Sequence, residues 1–105
     1  MRQITVSELK DRLDAGDSPL LLDVREPWEL RVCALPGALH IPMRQVPARL
    51  GELDPDREIV VVCHHGVRSY QVVRFMEQQG FTNAINLAGG VDAWAREVDP
   101  EMAKY

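Results

Sequence analysis

Cysteine is scarce in this 105-residue chain: Cys33 and Cys63 are the only two. Two thiols cannot staple a small disulfide framework, and they fall short of a four-ligand structural zinc site. An excess of basic residues is also missing. Twelve Lys and Arg stand against sixteen Asp and Glu, a formal net charge of −4. No global positive field steers a polyanion, so nucleic acid is excluded as the main partner; a small anion drawn by local potential is a separate matter. No apolar run approaches the ~20 residues of a membrane helix, so no membrane partner is expected. Polar residues follow Met1 at once, and no signal peptide is expected. The expected compartment is the reducing cytoplasm, where a cysteine rests as thiol or thiolate. Internal repeats and low-complexity linkers are absent too. Aromatics make up 6% of the chain, and Trp28 and Trp94 read as core or rim residues.

What is present fits one ordinary globular unit spanning 1–105. The apolar fraction is 46% and the charged fraction 27%, enough for one hydrophobic core. The chain alternates short apolar runs with helical patterns. Gln3–Thr5 is a candidate edge strand. Thr5-x-x-Glu8 matches a capping box, with Leu9 and Leu13 on one face of the helix it opens. Leu20–Val24 reads as a buried strand. Glu26-Pro27 opens a short helix through Val32, with proline at its first position. Leu39–Ile41 is a brief strand closed by Pro42. Met43–Leu50 is weakly helical, and Pro47 is expected to split it. Ala84–Leu87 is a further strand, Gly89-Gly90 a tight turn and Val91–Arg96 a last helix. The tail after Asp99-Pro100 is expected to fray. About five strands alternating with helices predict an α/β fold: a mostly parallel central sheet with helices on both faces.

The informative stretch runs from Ile59 to Gln79. Ile59–Val62 is a β-branched run of the kind buried on both faces of a parallel sheet. From Tyr70 the apolar residues Val72, Val73, Phe75 and Met76 fall at helical spacing, and Gly80 supplies a stop. Cys63 therefore sits at the carboxyl end of a strand, where ligands bind in open α/β sheets. The loop Cys63–Arg68 aims backbone N–H groups and the positive end of a helix at one place, which favours a thiolate or an oxyanion there. Arg68 adds a permanent charge and His64 and His65 partial ones. An arginine at a helix start opposes the dipole, so an anionic partner in the loop is the better account of Arg68. His64 and His65 are either exposed loop residues or substrate contacts. Asp23 and Arg25 bracket the carboxyl end of their strand on the same rim, and read as a structural ion pair or cap. Cys33 reads as a small core residue.

Four segments resemble the rhodanese-like sulfurtransferases of single-domain type, in order: Leu21–Glu26 (LLDVRE), Ala34–Pro42 (ALPGALHIP), Cys63–Ser69 (CHHGVRS) and Asn86–Trp94 (NLAGGVDAW). The resemblance implies a two-step covalent transfer. Cys63 takes the outer sulfur of a small anionic donor such as thiosulfate as a persulfide. A thiol, cyanide or a sulfur-accepting protein then removes it. It implies that His64, His65, Gly66, Val67, Arg68 and Ser69 cradle the sulfur with their N–H groups, and that Arg68 holds the loop shape and pairs with a donor oxygen. No metal and no cofactor is implied. Two other readings stay open: a relay module whose physiological acceptor is a protein, and a phosphatase or arsenate-reductase-like enzyme. Those enzymes resemble Cys-x5-Arg, one residue longer than the Cys63–Arg68 loop, and the shorter ring suits a single sulfur atom.

Overall fold

Each apolar run becomes a strand because helices cover the sheet on both sides. The computed structural model describes residues 1–105. Its strands are β1 (Arg2–Ile4), β2 (Leu20–Asp23), β3 (Leu39–His40), β4 (Ile59–Val62) and β5 (Ala84–Leu87). Its helices are α1 (Val6–Asp14), α2 (Pro27–Val32), α3 (Val46–Arg49), α4 (Val67–Gln78) and α5 (Gly90–Glu97). All strand pairs are parallel, in the order β1-β5-β4-β2-β3. The α/β fold with a parallel five-stranded sheet is thus as expected.

β4 lies at the centre, and none of its four residues reaches solvent. Successive side chains point to opposite faces. Ile59, Val61 and Cys63 join Val72, Val73 and Met76 of α4 in one core cluster. Val60 and Val62 join Leu9 of α1 and Val91 and Trp94 of α5 in the other. Cys63 therefore follows directly on a strand that is locked from both sides, its side chain in the α4-side core.

Local signals account for most element ends. In α1 the Thr5 hydroxyl accepts from the Glu8 amide at 3.1 Å, and the Glu8 carboxylate accepts from the Thr5 amide at 3.0 Å. This reciprocal cap satisfies two otherwise orphan donors. Two boundaries differ clearly from expectation. α4 begins at Val67, three residues before Tyr70, because Gly66 turns the chain into the helix at φ +98°. Residues 67–69 carry no apolar periodicity to announce it. The break in the 43–50 segment falls ahead of Pro47. A 3-10 turn at Met43–Gln45 passes into α3, where proline occupies the first turn and its missing N–H is harmless.

The tail is the clearest correction. It does not fray. The Asp99 amide donates to Trp94 O at 2.9 Å and the Met102 amide to Asp99 O at 3.0 Å. Met102 and Tyr105 pack against the α1–α5 side of the core. A short turn thus returns the chain to the carboxyl rim of the sheet.

Candidate active site

The loop after β4 is shaped by the element that follows β5. The first amides of α5 reach across to it: Val91 N–H donates to Cys63 O at 2.9 Å and Asp92 N–H to His64 O at 3.0 Å. With its carbonyls held outward in this way, the loop turns its own amides inward. Gly90 makes the approach possible. A Cβ there would meet Cys63 O at 2.3 Å and His64 O at 2.5 Å, and its φ is +58°. Side chains are strained at such an angle, so backbone proximity and conformation both demand glycine.

Three groups converge on the Cys63 sulfur. Gly66 N–H lies 3.1 Å from Sγ, Ser69 N–H 3.4 Å, and Ser69 Oγ 3.3 Å. Of the amides from His64 to Ser69, the two that donate to Sγ are those of Gly66 and Ser69, so the cradle is narrower than the resemblance implied. Val67 contributes the start of α4 and turns its side chain to solvent, 67% exposed. Cys63 itself keeps 1% of its surface, so the sulfur lies at the floor of the loop and the site must open locally for a reagent to reach it.

Arg68 is placed differently from expectation. Its guanidinium forms a fork on the Glu29 carboxylate, at 2.6 and 2.8 Å, rather than standing free for a donor oxygen. Its anionic partner lies outside the loop, on a side chain of α2. Glu29 is buried, and it also accepts from the Tyr105 hydroxyl at 2.7 Å. The Arg68 fork holds the Glu29 carboxyl down at about 2, against the opposing effect of burial. The same pairing raises Arg68 above its usual value.

Asp23 and Arg25 form a fully buried ion pair, Nη2 to Oδ2 at 2.7 Å and Nε to Oδ1 at 3.0 Å. Arg25 also donates to Cys33 O at 2.8 Å and to the Tyr105 hydroxyl at 2.9 Å. Burial opposes its charge, but the bonds to Asp23 and Tyr105 outweigh that and raise its pKa. Cys33 is half-buried beside this pair, its Sγ 3.9 Å from Arg25 Nη1. The network is continuous from Asp23 through Arg25, Tyr105 and Glu29 to Arg68.

Tyr105 joins this network to the loop. Its ring stacks on His64 at 3.9 Å and 7°, and Trp28 meets its edge at 5.6 Å. Burial pushes the Tyr105 hydroxyl up to about 12, with the Glu29 carboxylate acting in the same direction and Arg25 against it. His64 is lowered by burial and by its neighbour His65, whose ring lies 3.9 Å away. His65 is largely exposed, with Nε2 3.9 Å from the Asp92 carboxylate. His64, His65 and Asp92 bring metal-ligand atoms within 4.8 Å of one another. The His64 ring is stacked under Tyr105, however, and Asp92 already accepts from Arg96 at 3.0 Å.

Sequence reasoning missed Glu29, Asn86, Gly90's contact and Tyr105. Glu29 had a signal, standing three residues after Glu26 and returning a bond to its amide at 3.0 Å. Asn86 had one as well, a lone amide in the apolar strand Ala-Ile-Asn-Leu. Tyr105 had none, since only tertiary structure brings it to the loop.

Comparison with known proteins agrees with this architecture. Residues 5–97 match the family described as Rhodanese-like domain. A sulfurtransferase of Allochromatium vinosum is 39% identical over 103 residues, covering 98% of this chain and 96% of the relative. The adenylyltransferase and sulfurtransferase MOCS3-1 of Zea mays is 32% identical over 110 residues, 98% of this chain but 24% of that protein. The crystal structure of a rhodanese-like domain protein from Staphylococcus aureus superimposes with a TM-score of 0.86 at 36% identity, covering 93% of this chain and 95% of that one.

Proposed function

The chain belongs to the rhodanese-like domain family, and on that basis we propose that it is a sulfurtransferase that carries a sulfane sulfur as a persulfide on Cys63. The observation that supports this best is the convergence of two main-chain amides on one sulfur at the carboxyl end of the central strand. Amides fixed in this way stabilise negative charge without reorganising when it forms.

The thiolate of Cys63 attacks the outer sulfur of a donor such as thiosulfate. A new S–S bond forms, the donor's own S–S bond breaks, and sulfite leaves with the electron pair. The charge then resides on the outer sulfur of the persulfide. Cyanide or a thiol attacks that sulfur, and the cysteine thiolate is restored. Both half-reactions use Cys63 as nucleophile and then leaving group, so ping-pong kinetics are expected. Arg68 acts chiefly by tying α4 to Glu29, and an incoming anion competes with that carboxylate for its guanidinium. The six-residue Cys63–Arg68 loop favours sulfur transfer over phosphate hydrolysis. A cytoplasmic setting suits a protein that needs a free thiol at rest, and no helix is long and apolar enough to cross a membrane.

A second reading, relay to a protein acceptor, is favoured by a specific observation. Trp28, Val67 and Tyr70 are exposed apolar side chains on α2 and the first turn of α4, the elements that carry Glu29 and Arg68. Intact-protein mass spectrometry after thiosulfate treatment tests the main proposal. The expected result is the gain of one sulfur atom, located at Cys63, and its loss on adding cyanide. An unmodified Cys63, with thiocyanate formation surviving Cys63→Ser, would overturn it.

A further inference from the structure

We infer that Asn86 is a positioning residue that fixes which way the Ser69 hydroxyl faces, and so decides whether Ser69 supports the thiol or the anion of Cys63. This rests on the sulfurtransferase reading and deepens it. The argument is an inventory of protons. Asn86 is 1% exposed and Ser69 fully buried, so neither has water to fall back on. Asn86 Nδ2 donates to Gly66 O at 3.2 Å and to Gln3 Oε1 at 3.0 Å. Gly66 O is a carbonyl that can only accept, which fixes the orientation of the amide. Asn86 Oδ1 therefore faces Ser69 and accepts a hydrogen bond from its hydroxyl at 2.5 Å.

A serine has one proton to give. With that proton committed to Asn86, Ser69 Oγ turns a lone pair toward Cys63 Sγ, 3.3 Å away. The contact is then a hydrogen bond from the thiol S–H to Ser69. Once the S–H proton leaves to solvent, lone pair faces lone pair. Ser69 must either leave Asn86 and donate to the sulfur, or meet the negative charge unpaired. No proton is gained or lost by Ser69 or Asn86 in that rotation. The persulfide lessens the conflict: Sγ still turns a lone pair toward Ser69, but its charge lies on the outer sulfur and Sγ becomes neutral. The Ser69–Asn86 pair disfavours the bare thiolate at Sγ relative to both the thiol and the sulfur-loaded cysteine, in opposition to the two amides that favour it. Ser69 alone, donating to a thiolate, would do the opposite.

The test is a double-mutant cycle on the pH at which Cys63 reacts with iodoacetamide. In the otherwise unaltered protein, Ser69→Ala removes an acceptor for S–H, and the midpoint is expected to fall. In Asn86→Leu the serine hydroxyl is released to donate to sulfur, so adding Ser69→Ala there is expected to raise the midpoint. A merely structural role for Asn86 would not reverse the sign. The S–H stretching band in the infrared gives a check that needs no Asn86 variant. It is expected at a hydrogen-bonded frequency and should move to the free-thiol position in Ser69→Ala. A midpoint that rises with Ser69→Ala in the parent protein, or an S–H band unmoved by that change, would overturn the inference. Neither readout uses sulfur transfer, so failure of the persulfide to form would count against the proposed function and leave this result standing.

Discussion

Glu29 shows how one side chain can tie together the elements around a site, through its bonds to Arg68 and Tyr105. Its carboxyl falls from 4.5 to about 2 in the folded chain. A carboxyl depressed in this way contributes stability that is present above its unfolded value and lost as pH falls toward its folded one. A window from about 4.5 down to about 2 is therefore expected, worth at most about 3 kcal/mol because Arg68 is partly solvated. Urea titrations across that range should show the loss, and Glu29→Gln should lack it. The Asp23–Arg25 pair is a different case. Both members are fully buried, so removing one leaves an uncompensated charge. Arg25→Met is expected to cost about 3–5 kcal/mol in denaturant melts. Tyr105→Phe keeps the stacked ring but deletes a hydroxyl that links Arg25 to Glu29. It should cost about 1–3 kcal/mol, the range for leaving a buried partner unsatisfied, and leave the His64 contact in place.

At the level of elements, much was legible in the chain. Ile59–Val62 announced a strand buried on both faces, the Thr5–Glu8 box a helix start, and Pro27 the opening of α2. These signals are local: each depends on residues within one turn or one strand. The carboxyl-end position of Cys63 followed from the alternation of strand and helix. What was not legible depends on contacts between elements remote in sequence. Arg68 finds Glu29 across 39 positions, and no periodicity reports that. The grip of α5 on the cysteine loop was equally hidden, since Gly89-Gly90 reads as an ordinary turn until the carbonyls of Cys63 and His64 are seen against it. The consequence is testable. Gly90→Ala places a methyl group 2.3 Å from a main-chain oxygen, so the loop must shift. Loss of thiosulfate-dependent labelling is expected in a protein whose far-ultraviolet circular dichroism is unchanged.

For the whole molecule, the tail was the largest misreading. Asp99-Pro100 looked like the end of packing, yet the chain returns to cover the carboxyl rim with Tyr105 on His64. Tyr105→Ala should therefore be felt at a distance in sequence. Alkylation of Cys63, slow in a protein that exposes 1% of that residue, is expected to accelerate, and unchanged kinetics would show that other groups seal the sulfur. The sheet itself carries a further consequence, one of timing. β1 is bonded to β5, with Arg2 opposite Ile85. Of the five strands β1 comes first in chain order and β5 last, so β1 finds its neighbour only after the residues between them have been made. Until then its three residues wait as an unpaired ribbon, and ring closure over that span opposes early pairing. β1 is therefore expected to be among the last strands to settle, and the hydrogen bond that Asn86 Nδ2 donates to Gln3 Oε1 can form only after it does.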